Sequence, residues 1–469
     1  MLIFVVALVF IFGIYYFNWQ ANRGTDRNLE IIDEENIVDL SLPSDENSDV
    51  VAPLDSSDSD DLLLLSDQVN DKDSKLKLSW EIITGDEGDN KGEDIAVDSL
   101  GNVYVVGVTS SLIISNETNE NIINSSSHFF YNDSTSSLIG DRDLLLLKFD
   151  SRGNLLWSKR RGNNDYDFGL GVDTDSVGNV YVVGGTTVLG GSTFLWLMKY
   201  DSDGKLLWEK TENRSSYDLG YDVAVAEDGS VYVVGSTGKP GSEDLWLLKY
   251  DFDGKKLWDG SAGVDGNDYG MAVSIGPEGY IYVSGITNAH GSEDLWLLKF
   301  DSEGNLIWDI VEGGEGFDQG RDIAIAPNGD LYVVGPTSKL REYDDLWLLK
   351  YNSEGELIWE RVFGEELSEN GFGVTVAEDG SVYVVGHHVE YFGFYNGVDY
   401  SNQYLTSDML LLKYDSDGNL LSNILSNKEF NDFGTGITID SVGNVYVVGS
   451  TNPSLTDYAD LWLMKFKDN

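Results

Sequence analysis

DLWLLKYDFDGKKLW, residues 244 to 258, decides how this chain folds. It is an apolar run, a four-residue polar turn carrying Gly254, and a second apolar run, which is the pattern of a β-hairpin closed by a Gly-containing loop. The stretch returns as FLWLMKYDSDGKLLW at 194 to 208, DLWLLKFDSEGNLIW at 294 to 308 and DLWLLKYNSEGELIW at 345 to 359. Looser copies are DLLLLKFDSRGNLLW at 143 to 157 and DMLLLKYDSDGNLLS at 408 to 422. A seventh, DLWLMKFKDN from Asp460, has no second apolar run.

A second signature precedes each copy. It reads GNVYVVG at 101 to 107 and 178 to 184, GSVYVVG at 229 to 235 and 380 to 386, GYIYVSG at 279 to 285, GDLYVVG at 329 to 335 and GNVYVVG at 443 to 449. Before each lies a short run of small residues, such as GYDVAVA from Gly220. One unit is thus four strands: the small-residue strand, the VYVVG strand, the LWLLKYD strand and the KLLW strand. Internal repeats at a period near fifty residues mean a solenoid or a propeller. Strands this apolar on both faces need cover on both faces, which four-stranded sheets packed around an axis provide. The expected fold is all-β, a seven-bladed β-propeller. Its seventh unit lacks a fourth strand, and Leu76 to Thr84 (LKLSWEIIT) has no partner of its own, so that strand is expected to pair with Leu461 to Phe466 and close the ring. Deleting residues 75 to 84 would then leave an unpaired edge.

VYVVG followed by the Asp-x-x-Gly turn and LLW resembles the SBBP family of seven-bladed β-propeller repeats, over residues 76 to 469. The resemblance implies an extracellular or surface propeller and no common activity. The YDSDGKLLW turn at 200 to 208 is also similar to the tryptophan-docking segment of quinoprotein propellers, but their Thr-Gly turn is absent and no quinone cofactor is expected.

The chain has 469 residues with 81 Asp or Glu against 30 Lys or Arg, a formal charge of −51, and no Cys. Such a chain repels nucleic acid, whose binding rests on neutralising phosphates. It has no disulfide framework and no thiolate chemistry. Met1 to Phe17 is uncharged and close to the shortest helix that crosses a bilayer, with Tyr15, Tyr16 and Trp19 placed for the interface. Residues 1–19 are expected to be an uncleaved transmembrane anchor or a signal, and 20–74 an acidic disordered stalk, since residues 28 to 74 are too charged to bury a core. Residues 75–469 form the propeller, expected outside a cell membrane that the chain crosses once. Arg23 and Arg27 argue the opposite orientation.

Alternate connections in a four-stranded unit fall on opposite faces. Inflated second-to-third loops at 108 to 142 and 387 to 407 share a face with the fourth-to-first connections, and long loops on a rigid scaffold are where binding resides. The aromatics Phe129, Phe130, Tyr131, Tyr391, Phe392, Phe394 and Tyr395 are the expected ligand-binding residues there. Asp167, Asp218, Asp268, Asp318, Glu369 and Asp432, with Asn90 in unit one, recur where each first strand begins. They read either as an acidic ring for a hard cation such as Ca²⁺ or as turn and strand caps. A second series, Asp143, Asp244, Asp294, Asp345, Asp408 and Asp460, opens the third strands, and a Lys follows five residues on, as Lys148 and Lys249 do. These are expected to be structural ion pairs between strands or blades. Of the four His, His128, His290, His387 and His388 are all expected in loops. No GxSxG, HExxH or P-loop pattern occurs, so catalytic residues are not assigned. The function read from all this is a membrane-anchored surface module that binds protein or glycan through its loop-rich face. The alternatives are an extracellular lyase or hydrolase at the channel mouth, which needs Arg or His with carboxylates in a deep pocket, or a structural surface-layer component.

Overall fold

The computed structural model describes residues 63–65, 76–110 and 142–468, apart from 86–87, 164, 189–190, 265, 290, 340–343, 365–366, 392–393, 396–397, 400–404, 427–430 and 453–458. Residues 1–19, the expected anchor, lie outside the described residues, and among those described no helix is long and apolar enough to cross a membrane.

The protein is an all-β β-propeller. Each unit supplies four antiparallel strands, as unit one does with Asn90–Val97, Val103–Thr109, Asp143–Phe149 and Leu155–Arg161. Seven separate four-stranded sheets were the expectation, and the hydrogen bonding differs. Five sheets hold one unit each, while units two and three merge into one eight-stranded sheet through the parallel pair Tyr217↔Thr193. The reason is local: the hairpin ends Ser192–Tyr200 and Tyr217–Val225 both run two residues longer than their counterparts in unit four and meet. Unit five carries a fifth strand, Leu63–Leu65, within the stretch expected to be disordered stalk.

Leu76–Thr84 pairs with Asp460–Asp468, placing Ile83 opposite Trp462 and completing the sheet of unit seven. The first strands then touch one another in cyclic order, ending with Asp432–Ile439 against Asn90–Val97. Seven hydrophobic clusters follow the same cycle, each shared by two consecutive units. In the last, Tyr446, Val448, Leu461 and Leu463 of unit seven pack on Ile95, Val103 and Val105 of unit one. Second and third strands are buried along nearly their whole length, which is why Val, Leu and aromatic residues fill both faces.

The third-strand lysines meet the expectation of ion pairs between strands in part: Lys199 pairs with Asp175 at 3.8 Å and Lys350 with Asp330 at 3.0 Å, neither with a third-strand Asp. Lys249 does not pair with Asp244. Its ammonium lies 5.0 Å over the Tyr232 ring and donates at 3.0 Å to the carbonyl of Ser302, in the turn of the next unit. Trp258 donates its indole N–H to the same carbonyl at 3.3 Å. The arrangement repeats with Lys148 and Trp157 on Ser202, Lys199 and Trp208 on Phe252, and Lys350 and Trp359 on Ser416. Lys465 closes the circle on Ser151 of unit one. Unit six faces no such turn, because unit seven takes its fourth strand from Leu76–Thr84, and Lys413 there bonds the Asp468 carboxylate instead.

Candidate functional site at the mouth of the channel

In six of the seven units the first strand slips one residue in register against its second strand immediately after a Gly. The slips lie between Gly92 and Asp94, Gly169 and Gly171, Gly220 and Asp222, Gly270 and Ala272, Gly371 and Gly373, and Gly434 and Gly436. The residue passed over is a β-bulge, whose side chain is re-aimed; in unit five the Arg321 N–H donates to the Val334 carbonyl at 2.7 Å. The closing Gly of VYVVG makes room for it: a β-carbon on Gly235 would stand 1.9 Å from the Leu219 carbonyl oxygen, and one on Gly107 1.9 Å from that of Lys91. An unvarying motif therefore holds a bulge whose own residue varies. Around the ring it is Glu93, Leu170, Tyr221, Met271, Phe372 and Thr435, with Arg321 in the same place in unit five. Two positions earlier stand Lys91, Phe168, Leu219, Tyr269, Gln319, Asn370 and Phe433, again all but one different. Both sets lie at the start of the innermost strands, on the face of the long loops.

Units three to seven join these residues into one cluster. Gln319 donates its amide N–H to Glu293 Oε2 and accepts from Arg321 Nε at 2.8 Å, so the guanidinium is oriented from behind. Arg321 lies 5.4 Å over the Phe372 ring. Phe372 stacks at 5.3 Å on His387, whose ring also meets the edge of Phe433 at 5.1 Å. Tyr269 packs edge-on to Tyr221 at 6.2 Å. Burial lowers the Arg321 pKa to about 10, against the opposing pull of Glu293, Asp344 and Tyr221. Burial also raises Glu293 and Asp344. His387 is pushed down to about 3 by burial, then by Arg321 and His388, and is neutral at physiological pH. Both His387 and His388 lie in the strand Val382–Tyr391, not in a loop as expected.

Behind the mouth, the innermost strands carry carboxylates that tie neighbouring units together. Asp94 accepts the Val172 N–H, Asp173 that of Val225, Asp222 that of Val273 and Asp322 that of Val374, the last three at 2.8, 2.8 and 2.7 Å. Burial raises Asp94 to about 7 and Asp173 and Asp322 to about 6, and lifts Asp222 well above its ordinary range with Asp94 and Asp322 adding to it.

The acidic residues singled out from the sequence behave otherwise. Asp167, Asp218, Asp268, Asp318, Glu369 and Asp432 are all buried. Asp218 accepts the Ser215 N–H at 2.7 Å and the Thr237 hydroxyl at 2.5 Å; Asp268 does the same with Val264 and Thr287. Asp167 takes the Asn163 N–H, Asp318 the Gly314 N–H and the Thr337 hydroxyl, and Glu369 bonds His388 Nδ1 at 2.6 Å. Asp167, Asp218, Asp268 and Asp318 are caps on the connections entering the first strands. Among the described residues no three His, Asp or Glu side chains gather as a metal-ligand set. In the Asp-x-x-Gly turns, Asn352 accepts the same two backbone N–H groups that Asp301 does, so that position needs an acceptor and not a charge. The third-strand Asp series packs on a Gly beyond the fourth strand: a β-carbon on Gly263 would meet Asp244 at 2.4 Å and Asp268 at 2.8 Å.

Of the expected aromatic ligands, Phe129, Phe130, Tyr131 and Phe392 lie outside the described residues. Tyr391 pairs with Leu405 where unit six extends its sheet, and Phe394 and Tyr395 pair with Asp399 and Val398 in a short ribbon. Sequence reasoning missed the bulge residues. Their one signal was variation at a fixed offset before each VYVVG.

The SBBP model, a beta-propeller repeat, matches residues 83–114 and 429–454. No curated protein matches the chain. Among solved structures, Sqt1 from Chaetomium thermophilum is 12% identical with a TM-score of 0.44, covering 81% of this chain and 95% of that one. A protein of unknown function from Dyadobacter fermentans is 11% identical with a TM-score of 0.44, covering 84% and 100%. YCF48 bound to D1 peptide is 11% identical with a TM-score of 0.46, covering 83% and 95%. The chain is a β-propeller, and its sequence matches the SBBP beta-propeller repeat at those two places.

Proposed function

We propose that this protein is an interaction module that holds a basic segment of a protein partner at the mouth of its channel. The observation that carries the reading is the bulge ring: seven equivalent places, six with one backbone geometry, and seven unlike side chains, where the rest of the scaffold repeats. A symmetric scaffold that loses its symmetry at one place has a site there. Charge supports a basic partner, because Glu243, Glu293 and Asp344 at the mouth and Asp173 and Asp322 behind it outnumber Lys91, Arg142 and Arg321. Partly exposed Tyr269 and Phe433 offer aromatic surface to a lysine or arginine, as Phe372 already does to Arg321. His387, neutral and covered on its ring faces by Phe372 and Phe433, serves packing rather than proton transfer.

In the full reading the eight-stranded sheet counts as two of seven blades. Residues 1–19 anchor the chain in the cell membrane, 20–74 space it away, and residues 75–469 stand outside the cell with the loop aromatics flanking the mouth. The test is selection of displayed peptides on the full chain, counter-selected on a Phe372→Ala, Phe433→Ala variant. Basic sequences enriched on the wild type alone support the reading. Equal enrichment on both proteins, or retention of neutral glycans in place of basic peptides, overturns it.

A further inference from the structure

The outer edges of the sheets are not all alike. Leu63–Leu65 pairs in parallel with the fourth strand of unit five, Leu357–Phe363, through Leu63↔Arg361, Leu64↔Val362 and Leu65↔Phe363. Among the described residues, the fourth strands of the other six units remain the outermost members of their sheets. Apolar residues also stand at this place in units four, six and seven, as Ile310-Val311, Ile424-Leu425 and Ile82-Ile83, and it is burial that sets unit five apart. Unit five reads Arg361-Val362-Phe363, with Val362 and Phe363 buried, where units one to three read Lys159-Arg160-Arg161, Lys210-Thr211-Glu212 and Gly260-Ser261-Ala262. The added strand covers three of the seven residues. Leu357 and Ile358, 42% and 49% exposed, lie beyond its reach together with the backbone of Trp359 and Glu360.

Three parallel pairs make a weak occupant. Parallel pairing is the less stable kind per residue, and each hydrogen bond contributes little net free energy in water. The segment is held by its tether, through effective concentration, and a longer strand pairing with all seven residues would also cover Leu357 and Ile358. We propose that the outer edge of unit five is a β-addition site for an extended, leucine-rich segment of a protein partner, and that Leu63–Leu65 is a built-in occupant which that segment displaces. The occupant gives the chemistry of the ligand: a strand of consecutive apolar residues, running parallel to Leu357–Phe363, recognised by main-chain hydrogen bonds. This site is on the rim and independent of the channel mouth.

The absence of Cys permits a position-specific test. The probe is a peptide of residues 58–67, DSDDLLLLSD, with cysteine in place of Asp60, which the observed register extends to lie opposite Ile358. Full-length chains carrying Ile358→Cys are compared with and without Leu63–Leu65, and Leu64→Pro serves as a second way to empty the edge should the deletion fold poorly. Leu207→Cys, an exposed position on the fourth strand of unit two, is the control. Disulfide trapping at position 358 should rise at least tenfold when the edge is emptied and exceed the control in both backgrounds. Trapping no greater than at position 207, or equal trapping with and without Leu63–Leu65, overturns the proposal. A wild-type dimer that the deletion dissolves would also overturn it, by assigning the strand to a second copy in exchange.

Discussion

The rim and the mouth of this propeller are built from the same repeats and obey opposite rules. At the rim the side chains recur: a Lys over a Tyr ring and a Trp beside it donate to one turn carbonyl of the next unit. At the mouth the backbone recurs and the side chains do not. A Gly, a bulge and a register slip return in six of the seven units, while the bulge residue runs from Glu93 through Tyr221 to Phe372, with Arg321 at the same place in unit five. Contacts between units must fit a neighbour of the same shape, so the sequence that makes them is copied. A bulge side chain over the channel mouth has no such neighbour and is released to vary.

The comparison can be broken at several points. Removing Leu76–Thr84 should have the largest effect, because the edge of Asp460–Asp468 and the junction of units seven and one are lost together. The single cooperative melt should vanish or fall by at least ~10 °C in calorimetry, and an unchanged melt would refute closure by this strand. Gly235→Ala comes next. Its β-carbon would meet the Leu219 carbonyl oxygen at 1.9 Å, and denaturant unfolding should register a loss of about 4 kcal/mol. Gly260→Ala, with open space around it, should stay within about 0.5 kcal/mol. At the rim, Lys249→Met removes one donor between units and should cost about 1 kcal/mol. At the mouth, Arg321→Lys keeps the charge but loses the planar fork. It should change stability by less than about 1 kcal/mol and weaken any selected peptide about tenfold. If the rim variant altered binding and the mouth variant altered only stability, the division of labour would be wrong.

The smallest expected effect is on pH dependence. Folded Asp94 sits at about 7 and Asp173 and Asp322 at about 6, against an ordinary 3.8. The folded protein therefore binds more protons than the unfolded chain between these values. The stability these groups contribute is fully present below pH 3.8 and is lost as pH rises through 6 to 7. Relative to an Asp94→Asn variant, which keeps an acceptor for the Val172 N–H, the wild type should gain melting temperature on going from pH 8 to pH 5. A relative loss on acidification would show that Asp94 titrates normally.

Much of the fold was legible because it rests on patterns local in the chain. Alternation, turn residues and a fixed period identified the four strands of a unit, and the orphan LKLSWEIIT identified its own partner. The hairpin reading of the Asp-x-x-Gly turn stood for the same reason, since Gly254 at φ 76° needs no distant contact to explain it. The ion pairs of Lys199 and Lys350 were legible as charges within apolar strands, but the turn carbonyl of the next unit that each also bonds leaves no mark in a sequence. His387 and His388 were placed in a loop because their strand runs on past VYVVG without an alternating pattern, paired only by the residues that return from Leu405.

What the amino-acid order determined by itself is the scaffold: seven copies of one hairpin pair, closed by a strand from the other end, since hydrophobic period and turn chemistry are written locally. Tertiary structure alone decided which carboxylates cap turns and which tie units together, and which residues meet at the mouth. It also decided that one short run of leucines lies on the edge of unit five. Those outcomes depend on what a side chain finds across an interface some fifty residues or more away, after the ring has brought it there.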